Sequence, residues 1–139
     1  MNSKEIVDCA MGRIKSDLIL LNGKIVNVYT KEILDADIAI CNDRIVHVGK
    51  NIDDLIGEST RIIDIDGLTI SPGLIESHMH IESSMLTLSR FTEAVVPHGT
   101  TTVVIDPHEL ANVAGIDGLE ILINEVKNSP ITYLIEAPS

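Results

Sequence analysis

The chain has 139 residues, 45% of them hydrophobic and 22% charged, and its mean hydropathy of +0.25 excludes a disordered or fibrous polymer. Ten Lys and Arg against 21 Asp and Glu give a formal charge of −11, and aromatic content is 2% with no tryptophan, which argues against nucleic acid and anionic membrane surfaces as partners. The longest apolar runs, Leu18 to Leu21 and Val103 to Ile105, fall far short of the roughly 20 residues of a membrane-spanning helix.

Residues 1–16 carry apolar positions Ile6, Val7, Ala10, Met11 and Ile14 at spacings of three and four, which predicts a helix. The segment has Asp, Glu, Lys and Arg among its apolar residues and so lacks the core of an export signal. Cys9 and Cys41 are too few for a disulfide scaffold and form no C-x-x-C pair, so both are read as reduced thiols of a cytoplasmic protein.

From Asp17 the pattern changes to short Ile-, Val- and Leu-rich runs separated by turn residues. Asn22-Gly23, between Leu18–Leu21 and Lys24–Tyr29, predicts a hairpin, because both residue types accept the positive φ of a tight turn. Asn42-Asp43 predicts a second hairpin between Asp37–Cys41 and Arg44–Val48, and Arg61–Ile65 is a further strand. Residues 17–72 therefore read as a small antiparallel, β-sandwich-like unit.

Ser71-Pro72-Gly73 punctuates the chain, and residues 73–139 alternate strand and helix. Strands are expected at Leu74–Ile81, Thr101–Ile105 and Ile131–Ile135, with helices at 87–97, capped by Thr87, and at Gly115–Lys127. A β-α-β-α-β run implies a parallel sheet, either half of an open sheet or the opening of a (β/α)₈ barrel.

The residues that carry chemistry cluster at two strand ends. His78-Met79-His80 closes the first of these strands, and residues i and i+2 of a strand share a face, so both imidazoles can converge on one divalent cation. Glu82 comes next on the same approximate face, as a hard oxygen ligand or an outer partner. Asp106-Pro107-His108-Glu109 closes the next strand, and the carboxyl ends of parallel strands are where α/β proteins bind ligands. The plainer reading is that Asp106 caps a turn and Glu109 opens a helix. His98 falls at the opposite end of its strand, His47 lies within the β unit, and Ser83-Ser84 has no visible base partner.

The strings SPGLIESHMHIESSM at Ser71–Met85, PHGTTTVVIDPHELANVAG at Pro97–Gly115 and APS at Ala137–Ser139, after the strand-rich start of Ser16–Val28, resemble the microbial adenine deaminases of the metal-dependent amidohydrolase superfamily. Pro-Gly leading into H-x-H is common to many amidohydrolases, whereas His80–Leu86 and Asp106–Val113 are the specific part. The resemblance implies a composite β domain and, after it, a (β/α)₈ barrel. It also implies a divalent metal on His78 and His80, manganese or iron ahead of zinc, and hydrolysis of adenine to hypoxanthine and ammonia by metal-activated water. Glu82, Asp106, His108 and Glu109 are the candidates for catalytic roles, and the partner it implies is a small purine.

A complete barrel takes about 250 residues, and only 67 run from Gly73 to the last residue, so three of eight βα units are expected here. The chain is accordingly expected to be the N-terminal portion of such an enzyme, inactive alone, and to self-associate or to need a complementary chain. The alternatives are a non-catalytic remnant or assembly module, and an amidohydrolase acting on another cyclic amide.

Overall fold

A computed structural model describes residues 1–137 as a mixed α/β chain, so the APS motif lies partly outside the described residues. The chain divides into two compact units, Met1–Pro72 and Gly73–Ser139.

In the first unit, helix α1 occupies Ser3–Ala10, within the segment 1–16 expected to be helical. Asn2 caps it: its side chain accepts from the Glu5 amide, and the Glu5 carboxylate accepts from the Asn2 amide in return. Strands β1 (Leu18–Asn27), β2 (Glu32–Cys41), β3 (Arg44–Gly49) and β4 (Arg61–Asp64) form one sheet in the order β3-β2-β1-β4, and β5 (Thr69–Ile70) also pairs with β1. Buried Ile19 and Ala39 pack with Ile52 and Leu55 of the loop after β3, while Ile25, Ala36 and Ile38 form a second apolar cluster.

The sheet departs from the sequence expectation in two ways. Asn22-Gly23 is not a hairpin turn: β1 runs straight through it, and the register to β2 shifts between Leu20 and Gly23. Only Asn22 takes positive φ (60°), which makes a bulge, whereas a tight type I′ turn needs both residues there. The bulge is held by polar partners far along the chain, the Asn22 amide donating to Asp37 Oδ1 (2.8 Å) and its side chain to Asp64 Oδ1 (3.0 Å). The chain instead reverses at residues 28–31, where Asn27 Oδ1 accepts from the Tyr29 and Thr30 amides. Secondly, β4 and β5 run parallel to β1, so the unit is a mixed sheet rather than an antiparallel one. The hairpin at Asn42-Asp43 forms as expected, joining antiparallel β2 and β3.

The second unit is a three-stranded parallel sheet, β6 (Leu74–Met79), β7 (Thr100–Ile105) and β8 (Thr132–Ile135), in the order β6-β7-β8. Helix α2 (Leu88–Val95) starts at Thr87, whose hydroxyl accepts from the Arg90 amide, and connects β6 to β7. Helix α3 (His108–Lys127) connects β7 to β8 and begins seven residues before the expected start at Gly115. Gly115 interrupts it with φ 59° and ψ −148°, a conformation open essentially to glycine. Gly73 has a different reason: a Cβ there would stand 2.2 Å from the Thr101 side chain, so only glycine lets β6 start this close to β7.

One face of this sheet packs on the helices. Val103 and Ile105 of β7 and Tyr133 of β8 join Ile81, Leu88 and Phe91 in a buried cluster, with Met79, Leu122 and Val126 against it. The Thr92 hydroxyl donates to the Leu88 carbonyl (2.8 Å) and meets Tyr133 Oη at 2.7 Å, which satisfies the buried phenol. Because Met79 and Ile105 are register partners on this packed face, the residues alternating with them, His78, His80, Val104 and Asp106, belong to the other face.

Candidate metal centre

Parallel strands place all their carboxyl ends at one edge of the sheet, so the residues just beyond each strand collect there. His78 lies at the end of β6 and His80 just beyond it, Asp106 comes directly after β7, and Glu136 directly after β8. The backbone fixes their level: the Asp106 amide donates to the Met79 carbonyl (3.0 Å) and the Glu136 amide to the Ile105 carbonyl (2.8 Å).

His78 Nε2 and His80 Nε2 are 3.1 Å apart, and His78, His80 and Asp106 each offer a ligand atom within 4.8 Å of the others. His80 Nδ1 lies 2.9 Å from the Asp106 carbonyl oxygen, which can only accept, so Nδ1 carries the proton and Nε2 presents its lone pair. Two imidazole lone pairs facing each other at this distance repel unless a proton or a cation lies between them. Two metal–nitrogen bonds of about 2.1 Å to one ion accommodate such a spacing, and a carboxylate completes a donor set suited to a divalent cation. The residues present therefore fit the divalent metal.

The surrounding side chains are tied in a definite way. Asp106 Oδ1 accepts from the His108 amide (3.2 Å) and Oδ2 meets His108 Nδ1 at 3.1 Å. So Asp106 both caps the turn and brings an oxygen within reach of the two imidazoles. The hydrogen bond from His108 holds the Asp106 carboxyl below the usual carboxylate range, and the same bond raises the His108 imidazole above its ordinary value, against the opposing pull of its burial. The His80 and His108 rings meet edge to face with centroids 4.7 Å apart. Glu109 opens α3 and accepts from the Ser83 hydroxyl at 2.9 and 3.0 Å, a carboxylate partner for Ser83 that the sequence did not make visible. Glu82 Oε1 accepts from the Leu110 amide at 3.0 Å, and its carboxylate is outside the converging set of His78, His80 and Asp106.

Glu136 is the residue that sequence reading missed. Its Oε2 stands 3.4 Å from His78 Nδ1, the ring nitrogen turned away from His80. The signal was its position, directly after the third parallel strand, where His80 and Asp106 had marked the first two. His98 lies in the turn before β7, at the far end from this rim, as its position in sequence implied. Among the described residues no helix is long and apolar enough to cross a membrane.

The likeness to known proteins falls on these same elements. The chain is 47% identical over 135 residues to adenine deaminase 3 of Rhizobium meliloti (strain 1021), covering 96% of this chain and 23% of that protein. It is 42% identical over 137 residues to the adenine deaminase of Moorella thermoacetica, covering 99% of this chain and again 23% of the relative. Among solved structures, a D-aminoacylase described as defining a subset of amidohydrolases superposes with a TM-score of 0.67 at 25% identity, over 88% of this chain and 30% of that one. The chain thus spans under a quarter of the length of the curated relatives it matches. Residues 69–139, which carry β6, β7, β8 and the His78–His80–Asp106 rim, match the model of the amidohydrolase family, and the chain belongs to that family.

Proposed function

We propose that this chain supplies the first metal-binding portion of an adenine deaminase, in which a metal-activated water converts adenine and water to hypoxanthine and ammonia. The observation that carries the reading is the convergence of His78 Nε2, His80 Nε2 and an Asp106 oxygen at the strand ends of a chain 42–47% identical to adenine deaminases. His78 and His80 would hold the cation, with manganese or iron as the metal. When bound, such an ion lowers the pKa of water and supplies the nucleophile for hydrolysis. The chain's own residues prepare for it: Asp106 fixes the His80 tautomer through its carbonyl and holds His108 through its carboxylate, next to the reacting face. The remaining ligands and the substrate pocket come from polypeptide beyond these 139 residues, a requirement the 23% coverage of the relatives supports. The free, buried Cys9 and Cys41 fit a reducing cytoplasm.

The test is a chimera in which these 139 residues replace the matching segment of the Rhizobium meliloti adenine deaminase. Ammonia release from adenine, abolished by His78→Ala, is the expected result. A chimera that folds and binds manganese yet releases no ammonia overturns the deaminase reading.

A further inference from the structure

Pro107 stands at the N-cap position of helix α3 and contributes no side-chain hydrogen bond, and Asp106 satisfies only the first amide, that of His108. The Leu110 amide in its first turn is instead satisfied by Glu82, 28 residues earlier, at 3.0 Å. One residue on each side, a second bond repeats the link, the Ser83 hydroxyl donating to the Glu109 carboxylate at 2.9 and 3.0 Å. Glu82 and Ser83 belong to the tight turn Ile81–Ser84 that starts at His80, while the α3 first turn starts two residues after Asp106. A largely apolar cleft of about 330 Å³, lined by Ile81, Leu110, Gly118 and Leu122, borders the partly buried Glu82.

We propose that Glu82 is a positioning residue for the metal centre, one that caps α3 across the sheet and thereby locks the His80 turn to the Asp106 turn. The inference rests on the metal-centre reading of His78, His80 and Asp106. Its bond joins the two segments whose side chains must meet within 4.8 Å, beyond the point where the Met79–Ile105 strand pair, the Asp106 amide to Met79 bond and the His80 Nδ1 contact with the Asp106 carbonyl already hold them together. Ser83 and Glu109 reinforce it from the exposed side.

Manganese titration of the chain by calorimetry tests this, with Glu82→Ala, Glu82→Gln, Ser83→Ala and His78→Ala compared, and with hydrogen exchange of the Leu110 amide measured alongside. Glu82→Ala is expected to weaken manganese binding about tenfold or more and to speed Leu110 exchange. Glu82→Gln keeps an oxygen for that amide and is expected to restore affinity to within about threefold of the unsubstituted chain, and Ser83→Ala to cost less than Glu82→Ala. Unchanged affinity in Glu82→Ala, with His78→Ala abolishing binding, overturns the positioning role and leaves the metal centre standing. Equal loss in Glu82→Ala and Glu82→Gln, with Leu110 still protected, also overturns it, since the charge and not the link would then matter. No manganese binding by the unsubstituted chain overturns both readings. If Glu82→Ala does not fold, Glu82→Asp takes its place, because its shorter side chain does not span to Leu110, and the same outcomes apply.

Discussion

The two units use the same residue types to different ends. In Met1–Pro72 the acidic side chains tie a bulge and a turn to distant parts of the chain: Asp37 and Asp64 hold the Asn22 bulge, and Asp17 accepts from the Asn42 amide at the β2–β3 turn. In Gly73–Ser139 the ionisable side chains at the ends of β6, β7 and β8 gather on one rim. Strand direction makes the difference. A mixed sheet sends its strand ends to both edges and scatters the residues beyond them, whereas three parallel strands deliver His80, Asp106 and Glu136 to one edge. Polar clustering in the second unit is thus a consequence of topology, and chemistry exploits it.

The largest effect that sharpens this comparison comes from the two cores. Ile105 and Ile19 are both almost fully buried, and replacing either by alanine should cost about 2–5 kcal/mol, read by urea unfolding. Ile105→Ala should also loosen manganese binding, because Ile105 lies one residue before Asp106 in β7, whereas Ile19→Ala should leave the affinity of the folded chain unchanged. Equal loss of affinity in both would erase the distinction between the units.

Next in size is the metal itself. Excess manganese should raise the thermal midpoint of the second unit, since a ligand that binds only the folded state stabilises it by mass action, and His80→Ala should remove that rise. A rise that persists in His80→Ala would place the cation elsewhere.

A smaller effect belongs to the Asp106–His108 pair in the metal-free chain. The Asp106 pKa is depressed, so its contribution is present above the ordinary carboxylate value and is lost as pH falls through the depressed one. The His108 pKa is raised, so its contribution is present below the ordinary imidazole value and is lost as pH rises through the raised one. The pair therefore works between those limits, and Asp106→Asn should lower the His108 titration midpoint seen by NMR. A midpoint that does not move would detach His108 from Asp106.

The smallest effect is expected at the bulge of the first unit. Asn22 holds the exposed Asp64 carboxyl below its usual value, chiefly through its side-chain amide. In Asn22→Ala that carboxyl should titrate nearer its ordinary value, with no change at His108.

The reach of the forces involved decides how far the sequence foretold this structure. The H-x-H spacing and the D-P-H-E cluster were legible because strand periodicity and strand-end position are local properties. The Asn42-Asp43 hairpin was legible for the same reason, and Thr87 acts as the expected cap. Asn22-Gly23 misled because its geometry is set by Asp37 and Asp64, 15 and 42 residues away, rather than by its own turn chemistry. The parallel β4 and β5 were hidden likewise, since strand direction is a long-range choice. The early start of α3 was masked by reading Gly115 as a helix boundary, when it is a break inside one helix. Glu136 and the Glu82–Leu110 link depend on which strands become neighbours, and periodicity does not encode that.

The most direct test of the central claim is the broadening of histidine side-chain NMR signals by substoichiometric manganese. The account predicts that His78 and His80 broaden first, with His108 close behind because its ring lies 4.7 Å from that of His80, while His98 at the far end of β7 stays sharp. Broadening that reaches His98 together with His78 and His80, or that spares those two, would contradict a metal centre on this rim.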